Sequence, residues 1–141
     1  MLVRMFPDVI DLHPAAVIIL AGINDIGRHT GPETAKMVEE DLQAMAELAQ
    51  KHGIKVILCS VLPVRGNWAS ILPPADILKL NDWIKQYVAQ THIEFVDYYS
   101  SLVDSQGMLK EELTNEGIHP TVKGQAVMAP LAEAAIEKAL K

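Results

Sequence analysis

Two short segments combine residue types that can do acid–base and electrostatic chemistry. The first is Glu116-Gly117-Ile118-His119-Pro120. A carboxylate three residues before a histidine can reach the ring Nδ1 from within the same loop. It would set the tautomer and stabilise the imidazolium formed when the ring accepts a proton. The second is Gly22-Ile23-Asn24-Asp25. Asn24 can aim its side-chain NH2 at a developing oxyanion, and such a donor is worth about 3 kcal/mol in a dry, preorganised site. Gly22 leaves room for a substrate or a tight backbone turn, and Asp25 can fix the loop by accepting backbone hydrogen bonds. Each segment alone also has an ordinary reading. Asn and Asp favour turns, and a loop histidine can stand in solvent beside an unrelated glutamate.

For the two segments to act together, the fold must carry them to one place. The run Ala15–Ala21 is apolar, rich in β-branched residues and too short to span a membrane, so it reads as a strand covered on both faces. A loop from Gly22 to Gly31 follows. A helix is predicted from near Thr30, with Glu33 placed for a capping box and Pro32 in the first turn. Ala35, Val38, Leu42, Met45 and Ala49 share one of its faces, and His52-Gly53 closes it. Lys55–Val61 is a second buried strand. A long loop, Leu62 to Pro74, carries Arg65 and Trp68. A second helix places Ile77, Leu80, Ile84, Tyr87 and Val88 on one face, and Ile93–Tyr98 is a third strand. The last helix is predicted from about Thr121 to Leu140, with a bend at Pro130, which lacks an N–H. Met1–Leu12 has helical spacing at Leu2, Met5, Val9 and Leu12, interrupted by Pro7. Alternation of this kind means parallel strands with right-handed crossovers, hence a three-layer α/β/α sandwich. In such sheets sites lie at the carboxyl ends of the strands. Both segments follow a predicted strand on that edge.

Together the two segments resemble the SGNH hydrolase family, the GDSL-like lipases and esterases. Val17-Ile18-Ile19-Leu20-Ala21-Gly22-Ile23-Asn24-Asp25-Ile26 is similar to that family's Gly-x-Asn-Asp block. Glu116-Gly117-Ile118-His119-Pro120 is similar to its Asp-x-x-His-Pro block. Ile57–Val64 and the helix after Gly124 are similar to the family between and beyond those blocks. The resemblance covers essentially the whole chain. It implies a flavodoxin-like α/β/α parallel sheet and a hydrolase acting on esters or acetylated sugars. In the family a serine attacks the acyl carbon, the histidine of the last block is its base, and the Asp before it orients the ring. The Asn, an earlier Gly and the serine N–H form the oxyanion hole. Carried over, this chain supplies Asn24, His119 and, in the Asp position, Glu116. Gly22, Asp25 and Trp68 are expected beside the substrate.

Two departures stand out. Glu116 replaces the family's Asp, with a side chain one methylene longer. The blocks that carry the serine and the oxyanion-hole glycine are expected before residue 1, so residues 1–141 read as an incomplete domain, truncated at its N-terminus. Ser60 lies near the strand-end edge but has no nucleophile elbow around it. Ser70, Ser100, Ser101 and Ser105 have no activating context. Three readings stay open: an esterase completed by another segment, an inactive module that binds an acylated or sugar ligand, and an assembly module that keeps the core for packing.

Bulk properties narrow the partners. A net charge of −6 gives no support to nucleic-acid binding, which needs clustered Lys and Arg. His13, His29, His52 and His92 stand singly without ligand spacing, so no metal and no other cofactor is expected. Cys59, the single cysteine, sits in an apolar run and reads as a buried small hydrophobe. No stretch approaches the roughly 20 apolar residues of a membrane span. Met1–Pro7 does not form a signal peptide, which leaves the cytoplasm as the default compartment. Without a neighbouring strand, the apolar Ala15–Ala21 edge is expected to drive self-association, most simply as a two-fold dimer.

Overall fold

The computed structural model describes residues 1–27 and 34–141. At its centre is a three-stranded parallel sheet of order β1-β2-β3, with β1 at Ala16–Ile19, β2 at Lys55–Cys59 and β3 at Glu94–Val96. Val17 lies opposite Val56, Ile18 opposite Ile57, and Cys59 opposite Val96. Successive side chains of a strand point to opposite faces, and β2 shows the consequence. Val56 and Leu58 enter one apolar core, whereas Ile57 and Cys59 enter the other. Helices α3 (Ala35–Lys51) and α5 (Pro74–Thr91) cover the first face. Helices α6 (Tyr98–Leu102) and α7 (Val122–Ala139) cover the second. This is the expected α/β/α layering.

The helices form for local reasons. In α3, Val38, Leu42, Met45, Ala46 and Ala49 make the buried stripe, and the Thr34 side chain caps the helix by accepting from the Met37 N–H at 3.3 Å. The start expected near Thr30, with Pro32 and Glu33, lies outside the described residues. α5 opens on Pro74, whose missing N–H is harmless in a first turn, and ends at His92 in the left-handed region. Met1–Leu12 is not one helix. It forms a 3-10 turn at Leu2–Arg4, a single turn α1 at Met5–Asp8 and another 3-10 turn at Ile10–Leu12. The break falls at Val9, which leaves helical geometry; Pro7 itself sits within the first turn of α1, where no N–H is required. α7 continues through Pro130, so the Ala126 carbonyl loses its helical donor.

The strands are shorter than the apolar runs that encode them. Ser60, Val61, Pro63 and Val64 stay buried after β2 has ended, so their backbone polar groups need other partners. Asn81 of α5, only 3% exposed, supplies two. Its carboxamide accepts from the Val61 N–H at 2.7 Å and donates to the Val61 carbonyl at 2.9 Å. The Ser60 hydroxyl accepts from the Tyr99 N–H at 2.8 Å and faces Asp97 at 3.4 Å. Burial pushes the Cys59 thiol up to about 12 despite a hydrogen bond with Tyr98, which makes it a packing residue.

Asn81→Leu keeps the size and removes both bonds to Val61, leaving a buried donor and acceptor unmatched. The expected loss is about 2–6 kcal/mol of stability, from about 1–3 kcal/mol for each of the two unsatisfied groups. Urea denaturation measures it. An unchanged midpoint would show that Val61 does not depend on Asn81.

Candidate active site

The three strands end on one edge, and three loops meet there. β1 leaves through Gly22 at φ +113, a conformation that L side chains rarely adopt. A Cβ at Gly22 would also lie 2.6 Å from Leu80 Cδ2 of α5, a side-chain tip that could shift, so it is the backbone conformation that calls for glycine here. It leads into the single turn α2 (Ile23–Ile26), which carries Asn24 exposed at the edge.

The third loop runs from α6 through a 3-10 turn at Glu111–Leu113 to a narrow bend closed by an antiparallel bridge between Thr114 and Pro120. Within this bend one oxygen of Glu116, Oε1, accepts from the His119 backbone N–H at 2.7 Å and meets the His119 Nδ1 at 2.8 Å. With Nδ1 protonated and donating to the carboxylate, Nε2 keeps its lone pair and can act as a base. The His119 backbone N–H holds the Glu116 carboxyl below its ordinary value. Residual desolvation works against this, and the His119 ring adds to it. The His119 side chain is 83% exposed, so the ion pair contributes little by Coulomb attraction in itself. Its worth is orientation.

The second loop braces the third. The Arg65 N–H donates to the Gly117 carbonyl at 2.7 Å. Gly117, at φ +96, has no room for a side chain, since a Cβ would lie 2.5 Å from the Arg65 carbonyl oxygen. The Arg65 guanidinium reaches the Leu109 carbonyl at 2.7 Å and Asp104 at 3.0 Å. Gly124, in the first turn of α7, lets that helix approach Pro120 and Leu113 closely.

Asn24 and His119 line one cavity of about 340 Å3. Its walls are mainly apolar, from Leu20, Leu62, Val64 and Met128 among others, and Gln125 of α7 adds a third polar side chain. The sequence reading missed Gln125. Its signal was faint: a carboxamide six residues beyond His119, in the opening turns of the helix that follows. Gly22 sits at the neck of the Asn24 turn. Asp25 lines neighbouring depressions instead of this cavity. Trp68, at the start of the single turn α4 (Trp68–Ile71), is outside the cavity lining and packs where Gly117 lacks a side chain. Ser60 is fully buried and engaged with Tyr99, and no serine lines the cavity among the described residues. No group of three or more His, Cys, Asp or Glu side chains could hold a metal among the described residues. No helix there is long and apolar enough to cross a membrane.

The model of the GDSL-like Lipase/Acylhydrolase family matches residues 1–127. The chain belongs to this family. Membership carries the reaction class with it, hydrolysis of an acyl ester. Among solved structures, the GDSL-like lipase of Bacteroides thetaiotaomicron VPI-5482 is 41% identical with a TM-score of 0.93, over 99% of this chain and 70% of that one. A protein of Bacteroides fragilis NCTC 9343 assigned as an acylhydrolase is 42% identical with a TM-score of 0.94, over 99% of this chain and 69% of that one. An acetylxylan esterase from Geobacillus stearothermophilus shares the fold at 22% identity and a TM-score of 0.78, over 95% of this chain and 64% of its own. No curated protein matches the chain closely enough to count.

Because Glu116 binds its proton less tightly in the fold, its ionised form stabilises the folded loop at neutral pH. That contribution fades as pH falls from the ordinary glutamate value of about 4.3 through the lowered one. Glu116→Gln should therefore be less stable than the unmodified chain at neutral pH, and the gap should narrow in acid. Urea titrations at the two pH values measure this. A gap independent of pH would show that the carboxylate does not hold the loop.

Proposed function

We propose that this family member hydrolyses carboxylic esters by acyl transfer, with His119 as general base, Glu116 orienting it and Asn24 donating to the oxyanion. The observation that carries the reading is the Glu116–His119 contact at 2.8 Å on the rim of a cavity that Asn24 also lines. In this mechanism a serine hydroxyl attacks the acyl carbon and its proton passes to His119 Nε2. The carbonyl oxygen becomes an oxyanion against the Asn24 NH2. Collapse expels the alcohol, which takes the proton from His119. Water then repeats the sequence on the acyl-enzyme, releasing the acid and restoring the serine.

The serine, in this proposal, comes from polypeptide outside residues 1–141 seated against the free edge of β1. Two observations support it. β1 pairs only with β2 among the described residues, and the chain spans 69–70% of the length of the two Bacteroides structures while 99% of it is matched. The substrate class is a small ester or an acetylated sugar, Gly22 and Asp25 shaping the Asn24 turn and Trp68 buttressing the His119 loop. The acetylxylan esterase and the lipase among the neighbours name the two ends of that range. The apolar cavity without a serine also favours a second reading, an inactive module that binds an acylated ligand.

Incubation with a short-chain p-nitrophenyl ester and a fluorophosphonate, followed by mass spectrometry, separates these. The expectation is no label on residues 1–141 alone, and turnover once a Gly-Asp-Ser segment encoded upstream of Met1 is restored. In that active form His119→Ala abolishes turnover and Asn24→Ala costs about 100-fold in kcat. A label within residues 1–141 would overturn the external serine. Activity surviving His119→Ala would overturn the mechanism.

We also propose that the isolated chain self-associates. Ile18 and Leu20 on the β1 segment, and Val3, Phe6 and Leu12 before it, are exposed, and an open strand edge templates pairing. Light scattering at micromolar concentration should report a dimer or larger, and a stable 15.5 kDa particle would contradict this.

A further inference from the structure

The loop that carries His119 contains one hydroxyl that the chemistry above does not use. Thr114 Oγ1 accepts from the Gly117 N–H at 2.9 Å and donates to the His119 carbonyl at 2.9 Å. Both ends of the bend therefore converge on one side chain. Outside it, the Thr121 N–H donates to the Leu113 carbonyl at 2.8 Å and closes the base of the loop. The Arg65 N–H clamps Gly117 from the other side. Without the hydroxyl the segment between Glu116 and His119 loses a tie at the Gly117 N–H and another at the His119 carbonyl.

We propose that Thr114 is a positioning residue for His119: its hydroxyl sets the backbone of Glu116–His119 so that the imidazole keeps Nδ1 on the carboxylate and Nε2 toward the cavity. This rests on the acyl-transfer reading of the same site. The geometry gives the reason. Glu116 reaches both the backbone N–H and the ring of one residue through one oxygen, which requires a fixed bend between them. Gly117 supplies the positive φ of that bend but, as a glycine, does not hold it. A hydroxyl that accepts at one end and donates at the other does. A misplacement of the base by about 1 Å costs about 100-fold in rate, so such a tie has a functional consequence far larger than its own hydrogen-bond energy.

The test compares Thr114→Ser, which keeps the hydroxyl, with Thr114→Val, which keeps the shape without it. Thr114→Ala is the second hydroxyl-free variant should the valine protein fail to fold. The primary readout is the His119 ring tautomer, from imidazole 15N shifts at a pH where the ring is neutral. The unmodified chain and Thr114→Ser should show the Nδ1–H tautomer. Thr114→Val and Thr114→Ala should move to the mixture of a free side chain, and backbone order parameters over Glu116–His119 should fall from about 0.85 toward 0.6. In the serine-completed enzyme the hydroxyl-free variants should lose about 100-fold in kcat with KM unchanged, and Thr114→Ser should restore it. A tautomer and order parameters unchanged in the hydroxyl-free variants would overturn the proposal. If no form turns over ester, the acyl-transfer reading fails, while the tautomer measurement still decides whether Thr114 sets the ring.

Discussion

Parallel pairing of the three strands is the constraint from which the rest of the structure follows. Parallel neighbours cannot be joined by a tight turn; each connection must cross back over the sheet through a dozen or more residues. α3 and α5 are those crossovers, and their apolar faces cover the side of β2 that Val56 and Leu58 present. α7 covers the other side. Because all strands run the same way, all their carboxyl ends arrive at one edge, where β1, β2 and β3 release the backbone segments that bear Asn24, Arg65 and, through a longer path, His119. No attraction between these residues is needed to bring them together. The sheet does it.

That edge is also where the ladder of backbone hydrogen bonds stops while burial continues, which forces polar side chains into place. Val61 leaves the sheet still buried and is satisfied by Asn81. Tyr99 is satisfied by Ser60, and Ser100 by Asp97 at the start of α6. Burial works against ionisation of Asp97. The Ser100 bonds and Lys85 together outweigh it and hold the carboxyl below its ordinary value. These groups fix the floor and walls on which the exposed Asn24 and His119 stand. Gly117 and Gly124 act in the same sense by absence, each letting a neighbouring element approach where a Cβ would collide. A rigid frame under an exposed pair of side chains is what an oriented base requires.

What could be read in the sequence and what could not divide along physical lines. Strand identity followed from short β-branched runs, helix faces from steps of three and four, and the Glu116–His119 pair from a spacing of three within one loop. All of these are local. The strand lengths were overestimated because apolar runs report burial, and Val61, Pro63 and Val64 are buried beyond the end of β2. Asn81 and Thr114 were invisible as structural ties, since a carboxamide bonding a peptide twenty residues away, or a hydroxyl closing a bend, leaves no periodic mark. Trp68 drew notice as an aromatic in a long loop, but the space that it fills is defined by Gly117, nearly fifty residues on. Composition could not have located that space.

The replacement of aspartate by glutamate in the last block shows how these levels combine. Glutamate has one more rotatable bond, so holding it in one geometry costs more side-chain entropy. Its exposure denies it a strong Coulomb reward. It is nevertheless fixed, because Oε1 takes two donors of the same residue, the His119 N–H at 2.7 Å and the ring at 2.8 Å. The first of these does not depend on the ring's protonation. It keeps the carboxylate beside Nδ1 whether the imidazole is neutral or charged, and it lowers the carboxyl's proton affinity, so that a proton taken up at Nε2 finds an ionised partner across the ring. The longer side chain thus serves because the backbone of the loop meets it part-way. A carboxylate in this position depends less on its own length than on the bend that presents His119 N–H and Nδ1 to the same oxygen.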